Sequence, residues 1–565
     1  MFPSMIKVNP EMIQDFIEQQ QSLTAVERFT QQKEARLLSK EQPRYQELIP
    51  KTTPGPGQQY AFEVDLDRCT GCKGCVTACH SENGLDEDET WRSVGLVHGE
   101  TAEGPMIQHV TTACHHCLEP ACMAGCPTKA YEKDPKTGIV RHLDDQCFGC
   151  QYCILKCPYD VPKYNKKKGI VHKCDMCHSR LKVGEAPACV RGCPNEAIRI
   201  TLIDKDQVRI RPQDYVQVPD APDSRYTLPT TQYKRKDPFP GNAASSDLYA
   251  VEPEHAHMPL VIMLVLTQLS VGAFLAEFIL KSAMHDILRD LFRPFHVMTA
   301  LSLGMVALAA SIFHLGRPQY AFRAVLGLKT SWLSREIVAF GMFAFTASFY
   351  AVLIWFPPLK GFLKDVWGVM AFEQSSYIMA ALVFLFGTFG ILCSVMVYKD
   401  TRRPYWDNPF TTIKFYLTMG ILGFATILFS STMLAVFQPQ ITMTETFYHF
   451  WYNCCLIICV TSILKMSVEA GSFFHLNERE MTILKKTAIL MVGPLKSVTI
   501  RRFALGILGG VFLPLLLIAV SANTGAVGFA LMTFLILAGT LLGELHERYL
   551  FFTAVVPLKM PGGKV

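Results

Sequence analysis

The sequence predicts a two-part chain: a small α+β domain pinned by iron–sulfur clusters, followed by an all-α bundle of eight transmembrane helices. Two observations carry this. Sixteen of the twenty cysteines fall in four groups of four between residues 69 and 193. From Met258 onward the chain holds eight apolar runs, each near the roughly 20 residues that a bilayer span needs.

The cysteine groups are Cys69, Cys72, Cys75, Cys79; Cys114, Cys117, Cys122, Cys126; Cys147, Cys150, Cys153, Cys157; and Cys174, Cys177, Cys189, Cys193. Each opens with C-x2-C and closes with C-x3-C, and the last three closing cysteines precede Pro127, Pro158 and Pro194. This is the spacing of bacterial two-cluster ferredoxins, in which three close thiolates hold one cluster and the cysteine before the proline ligates its neighbour. Sixteen thiolates match four 4Fe-4S clusters, so the domain is expected to be bis-ferredoxin-like. The second group is stretched by two residues, and the fourth carries HSRLKVGEAPA between Cys177 and Cys189. Spacing alone leaves the pairing between groups open. Zinc knuckles also use C-x2-C, but without the repeated C-x2-C-x2-C-x3-C. A disulfide framework needs an oxidising compartment, and the polar opening MFPSMIKVNPEMIQDFIEQQQ has no apolar core of a signal peptide.

At 565 residues the chain exceeds one core. The divisions expected are 1–59, N-terminal extension and linker; 60–200, cluster domain; 201–257, extended tether; 258–550, membrane domain; and 551–565, tail. Residues 9–37 read as an exposed or partner-facing helix, and PGPG at 54–57 ends any helix before it. YAFEVDLDRC, IQHVTTAC, GIVRHL, GIVHKC and AIRITLI read as short strands. Stability here should depend on the cofactors, since metal binding supplies folding energy where a core is small. The formal net charge of +5 is too small to suggest nucleic acid. Cys393, Cys454, Cys455 and Cys459 lie in apolar runs and read as buried hydrophobes.

The spans are predicted at 258–280, 294–313, 336–356, 376–397, 413–436, 446–464, 503–520 and 528–545. Pro514 should kink the seventh or free a carbonyl. Trp355, Tyr398, Trp406, Trp451 and Tyr549 suit the interfacial belt. An even number of spans puts both ends on one side. Connections on the cluster-domain side (314–335, 398–414, 465–502) carry 15 Lys and Arg, against 5 on the far side. The positive-inside rule then places the cluster domain on the cytoplasmic side of the inner (cytoplasmic) membrane.

Eight helices exceed what a passive anchor needs. The candidate site is SIFHLGRPQYAFRAVLGLKTSWLSREIV, which brings His314, Arg317, Arg335 and Glu336 to the cluster-side membrane edge. Quinol oxidation needs a titratable partner for the hydroxyl, which a neutral histidine supplies, and a relay that an apolar-set carboxylate supplies. Either arginine could instead hold Glu336 charged. Haem is disfavoured, because His285, His296, His314, His449 and His546 form no obvious pair at matching depth. A transporter would want midplane charges, which the spans nearly lack, Glu277 being the main exception.

The cysteine region resembles the four-cluster subunit of the molybdenum or tungsten bis-pterin oxidoreductases, the group containing dimethyl sulfoxide reductase, through CTGCKGCVTAC, CHHCLEPACMAGCP, CFGCQYCILKCPY and CDMCHSRLKVGEAPACVRGCP. From Met258 to about Leu550 the chain resembles that group's eight-helix quinol-interacting anchor, through FHLGRP, SWLSREI, RRPYWDNP and GELHERYLFF. Two subunits usually encoded separately are joined. The resemblance implies four ligand sets: Cys69, Cys72, Cys75 with Cys193; Cys174, Cys177, Cys189 with Cys79; Cys114, Cys117, Cys122 with Cys157; and Cys147, Cys150, Cys153 with Cys126. It also implies that His314 contacts quinol, and supports Glu336 less directly.

The expected function is electron transfer between a membrane quinone pool and a separate bis-pterin catalytic subunit, with no terminal-substrate centre in this chain. The expected cytoplasmic side resembles the sulfite-oxidising branch, in which substrate oxidation feeds quinone. A quinol-oxidising reductase for a sulfoxide or other oxyanion is the alternative. A cluster-bearing structural or sensing membrane protein is a further one.

Overall fold

The structure is a computed structural model that describes residues 44–280, 286–356, 369–437, 445–520 and 525–562, with isolated residues in 27–34 and 361–366. The helix expected at 9–37 lies almost wholly outside the described residues. What remains is a mixed α/β ferredoxin-like region followed by an all-α region with eight membrane-length helices.

Strands β1 (Gln58–Asp65), β2 (Ser93–Thr101), β3 (Gly104–Thr112), β4 (Tyr131–Lys133) and β5 (Val140–His142) occupy the first half of the cluster domain. They are followed by β6 (Lys163–Asn165), β7 (Ile170–His172), β8 (Ile198–Asp204), β9 (Gln232–Lys234) and β10 (Ala244–Ser245). Aromatic and β-branched residues fill β1, where Phe62 faces Ile200 and Val64 faces Ile198 across the antiparallel pairing with β8. On its other edge β1 pairs in parallel with β9, and β10 adds to the β2–β3 hairpin. The stretch expected as a tether, 201–257, is therefore woven into two sheets of this domain. Its backbone donors find strand partners there, which a purely extended tether would not offer. The chain's far end also returns: Met560 is buried in the same core, and Lys559 and Gly562 bind Asp247.

The membrane helices are α1 (Met258–Leu280), α2 (Asp286–Ile312), α3 (Trp332–Trp355), α4 (Val369–Lys399), α5 (Pro409–Phe437), α6 (Glu445–Ala470), α7 (Lys496–Val520) and α8 (Ala526–Thr553). Each expected span falls on one of them, and several helices run further than hydropathy suggested. Helices α1 and α5 form the centre of the bundle, each 72 % buried over its most apolar stretch. They touch at Gly272 and Gly423, where a Cβ on Gly272 would stand 1.9 Å from the Met419 carbonyl oxygen. Close backbone approach is how helices associate where lipid removes the hydrophobic drive. Pro514 is accommodated by a π turn at Leu508–Phe512 just ahead of it, inside α7. Tyr398 and Trp406 depart from the interfacial belt: both are buried, packed against Phe551 at 5.1 and 5.3 Å between ring centres.

Candidate functional site

The cysteine loops share one backbone device. The residue before the second cysteine of every group has positive φ: Gly71, His116, Gly149 and Met176 at 72°, 42°, 74° and 59°. This turn folds the loop around the sulfurs, so that Gly149 N and Met176 N donate to Cys147 Sγ and Cys174 Sγ at 3.4 Å. After the closing cysteines Cys126, Cys157 and Cys193, the third residue (Lys129, Asp160, Glu196) is again left-handed. The next amide then reaches back: Ala130 N to Cys126 Sγ at 3.2 Å and Ala197 N to Cys193 Sγ at 3.3 Å. The proline expected to end the run starts this turn.

The thiols gather across groups. Cys69 is within electrostatic reach of Cys72, Cys75 and Cys193. Cys177 is within reach of Cys189 and Cys79, and Cys174 of Cys79, Cys189 and Cys114. Cys122 meets Cys114, Cys117 and Cys157, and Cys153 meets Cys126, Cys147 and Cys150. The donor set suits cubane clusters: four sulfurs per locus, amide donors aimed at them, and a cavity lined by Cys114, Cys117, Cys122 and Cys157 together. Among the described residues no group of His, Cys, Asp and Glu closes on a single metal ion. Burial first, then neighbouring sulfur charge, pushes Cys79 and Cys177 up to about 12. Such thiols ionise when a metal takes the proton's place, so loading is linked to pH. Buried Arg92 lies beside Cys75, Cys79, Cys174 and Cys189, and buried Lys173 points Nζ at Cys114 Sγ, 3.6 Å away. Both supply positive charge to a thiolate-rich interior.

The four loci form a line. Cys75 bridges the first two loci and Cys174 meets Cys114 of the third. Tyr131 lies among Cys122, Cys126 and Cys153 of the third and fourth. Cys72 is exposed at one end. At the other end the Cys126 and Cys147–Cys153 loops meet the membrane domain.

That meeting is made by 314–336, which runs from the end of α2 through a 3-10 segment, Pro318–Gly327, to the start of α3. Arg317 N donates to Phe148 O at 3.0 Å, and Gly316 lies on Gly149 and Gly169 so closely that a Cβ there would stand 2.1 Å from Gly169 O. Further along, Ser331 Oγ donates to Gly125 O at 2.7 Å, beside Cys126. Tyr152 OH, next to Cys153, donates to Val397 O at 2.9 Å on α4. Lys156 pairs with Asp400 at 2.8 Å.

His314 stands two residues from that glycine contact. Its Nδ1 donates to Ser311 O at 2.6 Å, which leaves Nε2 as an acceptor on the neutral ring. Burial holds its pKa below the ordinary imidazole value, partly offset by the Ser311 bond. Glu336 is buried on α3, accepts a hydrogen bond from the Ser394 hydroxyl, and makes no ion pair among the described residues. Arg317 and Arg335 are elsewhere engaged. Arg317 donates to Lys168 O and Asp144 O at 3.2 and 3.1 Å, and Arg335 to Leu328 O and Lys329 O at 3.1 and 2.9 Å. They dock the loop and leave Glu336 unpaired. His257, just ahead of α1, is within reach of His255 and His314, and burial with those neighbours holds it at about 4. The H-x-H pair beside the first span was the one signal for it.

Glu277 is the main charge that the sequence shows within the spans, and further buried charge lies toward the helix ends. Glu277 pairs with Arg293 at 2.8 Å. A second, larger group of buried charges joins α5, α6, α7 and α8, including Lys465, Arg502, Glu544 and Arg548. Lys465, Arg502 and Arg548 sit on helix turns just beyond the hydropathy-defined ends and Glu544 at the last turn within one, where they resemble loop charges in the sequence.

Compared with known families, residues 253–554 match the DMSO reductase anchor subunit (DmsC), and residues 106–202 match a 4Fe-4S dicluster domain. The chain belongs to the DMSO reductase anchor subunit family. Ahead of its anchor, it is 39 % identical over 157 residues to the B subunit of the anaerobic dimethyl sulfoxide reductase of Haemophilus influenzae, covering 26 % of this chain and 76 % of that protein. The corresponding B subunit of Escherichia coli K12 is 35 % identical over 184 residues, 31 % of this chain and 88 % of the relative. Hydrogenase-2 operon protein HybA of Escherichia coli O157:H7 is 35 % identical over 171 residues, 26 % and 52 % respectively. This DmsC-family chain is thus an iron–sulfur electron-transfer subunit joined to its own multi-pass membrane anchor, and part of an oxidoreductase complex.

Proposed function

We propose that the chain passes electrons between a membrane quinone and a separate molybdenum or tungsten bis-pterin subunit through four 4Fe-4S clusters. The proposed ligand sets are Cys69, Cys72, Cys75, Cys193; Cys79, Cys174, Cys177, Cys189; Cys114, Cys117, Cys122, Cys157; and Cys126, Cys147, Cys150, Cys153. Bound clusters would supply one-electron steps along the line of loci. The observation that carries the reading is the seating of 314–336 on the Cys126 and Cys147–Cys153 loops. It sets His314 and Glu336 at the membrane end of that line.

In this reading His314 Nε2 accepts a hydrogen bond from the quinol hydroxyl, with Nδ1 anchoring the ring to Ser311 O. Glu336 takes the second proton in a site kept dry by α3 and α4. The exposed Cys72 end faces the catalytic subunit.

Two directions of flow have support. Relatives named as dimethyl sulfoxide reductase subunits favour quinol oxidation feeding a reductase. The charge balance favours a cytoplasmic cluster domain and hence sulfite-like oxidation feeding quinone. Of the 15 basic residues on that side, Arg317, Arg323, Arg335, Arg403, Lys414, Lys465 and Arg502 serve packing or buried pairs. The remaining 8 still exceed the 5 on the far side. The test is anaerobic reduction of the purified chain. His314→Ala should slow quinol-driven bleaching of the clusters while dithionite bleaches them as before; equal loss of both would refute the quinone site.

A further inference from the structure

We propose that Lys173 is the joint between the second and third clusters: its ammonium ties a ligand of one to a ligand of the other and raises the reduction potential of the third. This rests on the four-cluster reading and deepens it to a single residue.

The proposed ligand sets make one step of the line unlike the others. The first and fourth cysteine groups exchange Cys79 and Cys193, which links the first two sets. The second and third groups exchange Cys126 and Cys157, which links the last two. No cysteine is exchanged between the second set and the third.

Lys173 spans that gap. It follows β7 directly and precedes Cys174 in the chain. Its side chain turns back, so that Nζ donates to Cys174 O at 2.8 Å and to Cys114 Sγ at 3.6 Å, with a further bond to Val140 O. An ammonium has three donors, and all three are thus engaged. Two of the acceptors belong to ligands of different sets. Lys173 is 2 % exposed, and among the described residues it makes no ion pair with a carboxylate.

A bolt for the turn is the plainer reading. Two backbone carbonyls are satisfied as well by a neutral amide, however, and a charge buried without a carboxylate is costly. Here the counter-charge is thiolate sulfur, and the contact is direct. Cys126 Sγ and Cys193 Sγ, by contrast, accept from the neutral amides of Ala130 and Ala197. An amide offers a dipole, whereas the ammonium offers a full charge. Reduction adds one negative charge at a locus, so a full positive charge beside Cys114 favours the electron at the third locus. The same side chain lies on a path of two hydrogen bonds, Cys174 O to Nζ to Cys114 Sγ, from one set to the next. The step is one electron leaving the second locus and arriving at the third, or the reverse. No bond forms or breaks, and Lys173 keeps its protons.

The test is an anaerobic redox titration of the cluster-loaded full chain, read by electron paramagnetic resonance, with iron analysis of each sample. The step lost in Cys122→Ala assigns the third locus. Lys173→Gln keeps an amide donor for the carbonyls and removes the charge. It should lower the reduced-to-oxidised ratio of the third locus at a fixed potential at least about tenfold, a shift of about 59 mV for one electron. The fourth locus and the iron content should stay as they were. Lys173→Arg keeps the charge and should restore the third midpoint. An unmoved third step in Lys173→Gln at full iron content overturns the proposal, and so does an equal shift of all four steps. Loss of third-locus iron in both Lys173→Gln and Lys173→Met overturns it too, since the lysine then serves assembly. Fewer than four steps in the unaltered protein would instead refute the four-cluster reading on which the joint stands.

Discussion

The two halves of the membrane domain handle charge differently. In α1–α4, Glu277 is paired with Arg293, while Glu336 has a serine hydroxyl and no cation among the described residues. In α5–α8, Lys465, Arg502 and three glutamates bind one another in a continuous network. The unpaired carboxylate lies where the chain touches the cluster domain, and the network lies beside it. A carboxylate set among apolar helices without a cation is costly, which makes it a candidate for function. Under the proposed quinone reading, the difference puts the reactive side at α3 and the supporting side at α5–α8.

The strongest way to break this contrast is to remove a thiol at the junction. Cys150→Ala should cost the chain one cluster's share of iron and sulfide and abolish quinol-driven reduction of the other loci. Iron analysis with absorbance spectra checks it. Next, His314→Ala should lower quinol-driven reduction roughly 100-fold, with little effect on the network half. The pH profile sharpens the point. Burial depresses the His314 pKa, so the ring stays in its neutral, accepting form as pH falls past the ordinary value near 6.5. The acid limb of the quinol-driven rate should thus lie below pH 6.5 and vanish in His314→Ala.

A smaller effect is expected from Gly316→Ala. The added methyl meets Gly169 O, so the loop must lift away from the Cys147–Cys150 turn. Quinol-driven reduction should fall while each domain keeps its cofactor content, measured by stopped flow and iron assay. Least affected should be Ser331→Ala. It loses the bond to Gly125 O and the cap of α3, about 1 kcal/mol for each, visible as a slightly lower midpoint in thermal unfolding.

Much of this was legible in the residues. Cysteine spacing predicts the loops because ligation demands short turns, and Cys153 lies within electrostatic reach of Cys126, Cys147 and Cys150. Apolar runs predict the helices because, apart from closed barrels, nothing else spans lipid. The network escaped because Lys414, Lys465 and Arg502 lower hydropathy locally, and only tertiary packing shows that their charges are met inside. The roles of Arg317 and Arg335 escaped for a related reason: their partners are backbone carbonyls, which carry no sequence signature. Strands β9 and β10 are too short to show a period.

The most direct measurement is electron paramagnetic resonance of the isolated protein, frozen after anaerobic mixing with a quinol analogue. Reduced four-iron cluster signals that appear with quinol, and are lost in His314→Ala but not with dithionite, are the expected result. Signals that appear with dithionite and never with quinol, in the unaltered protein, would contradict the account.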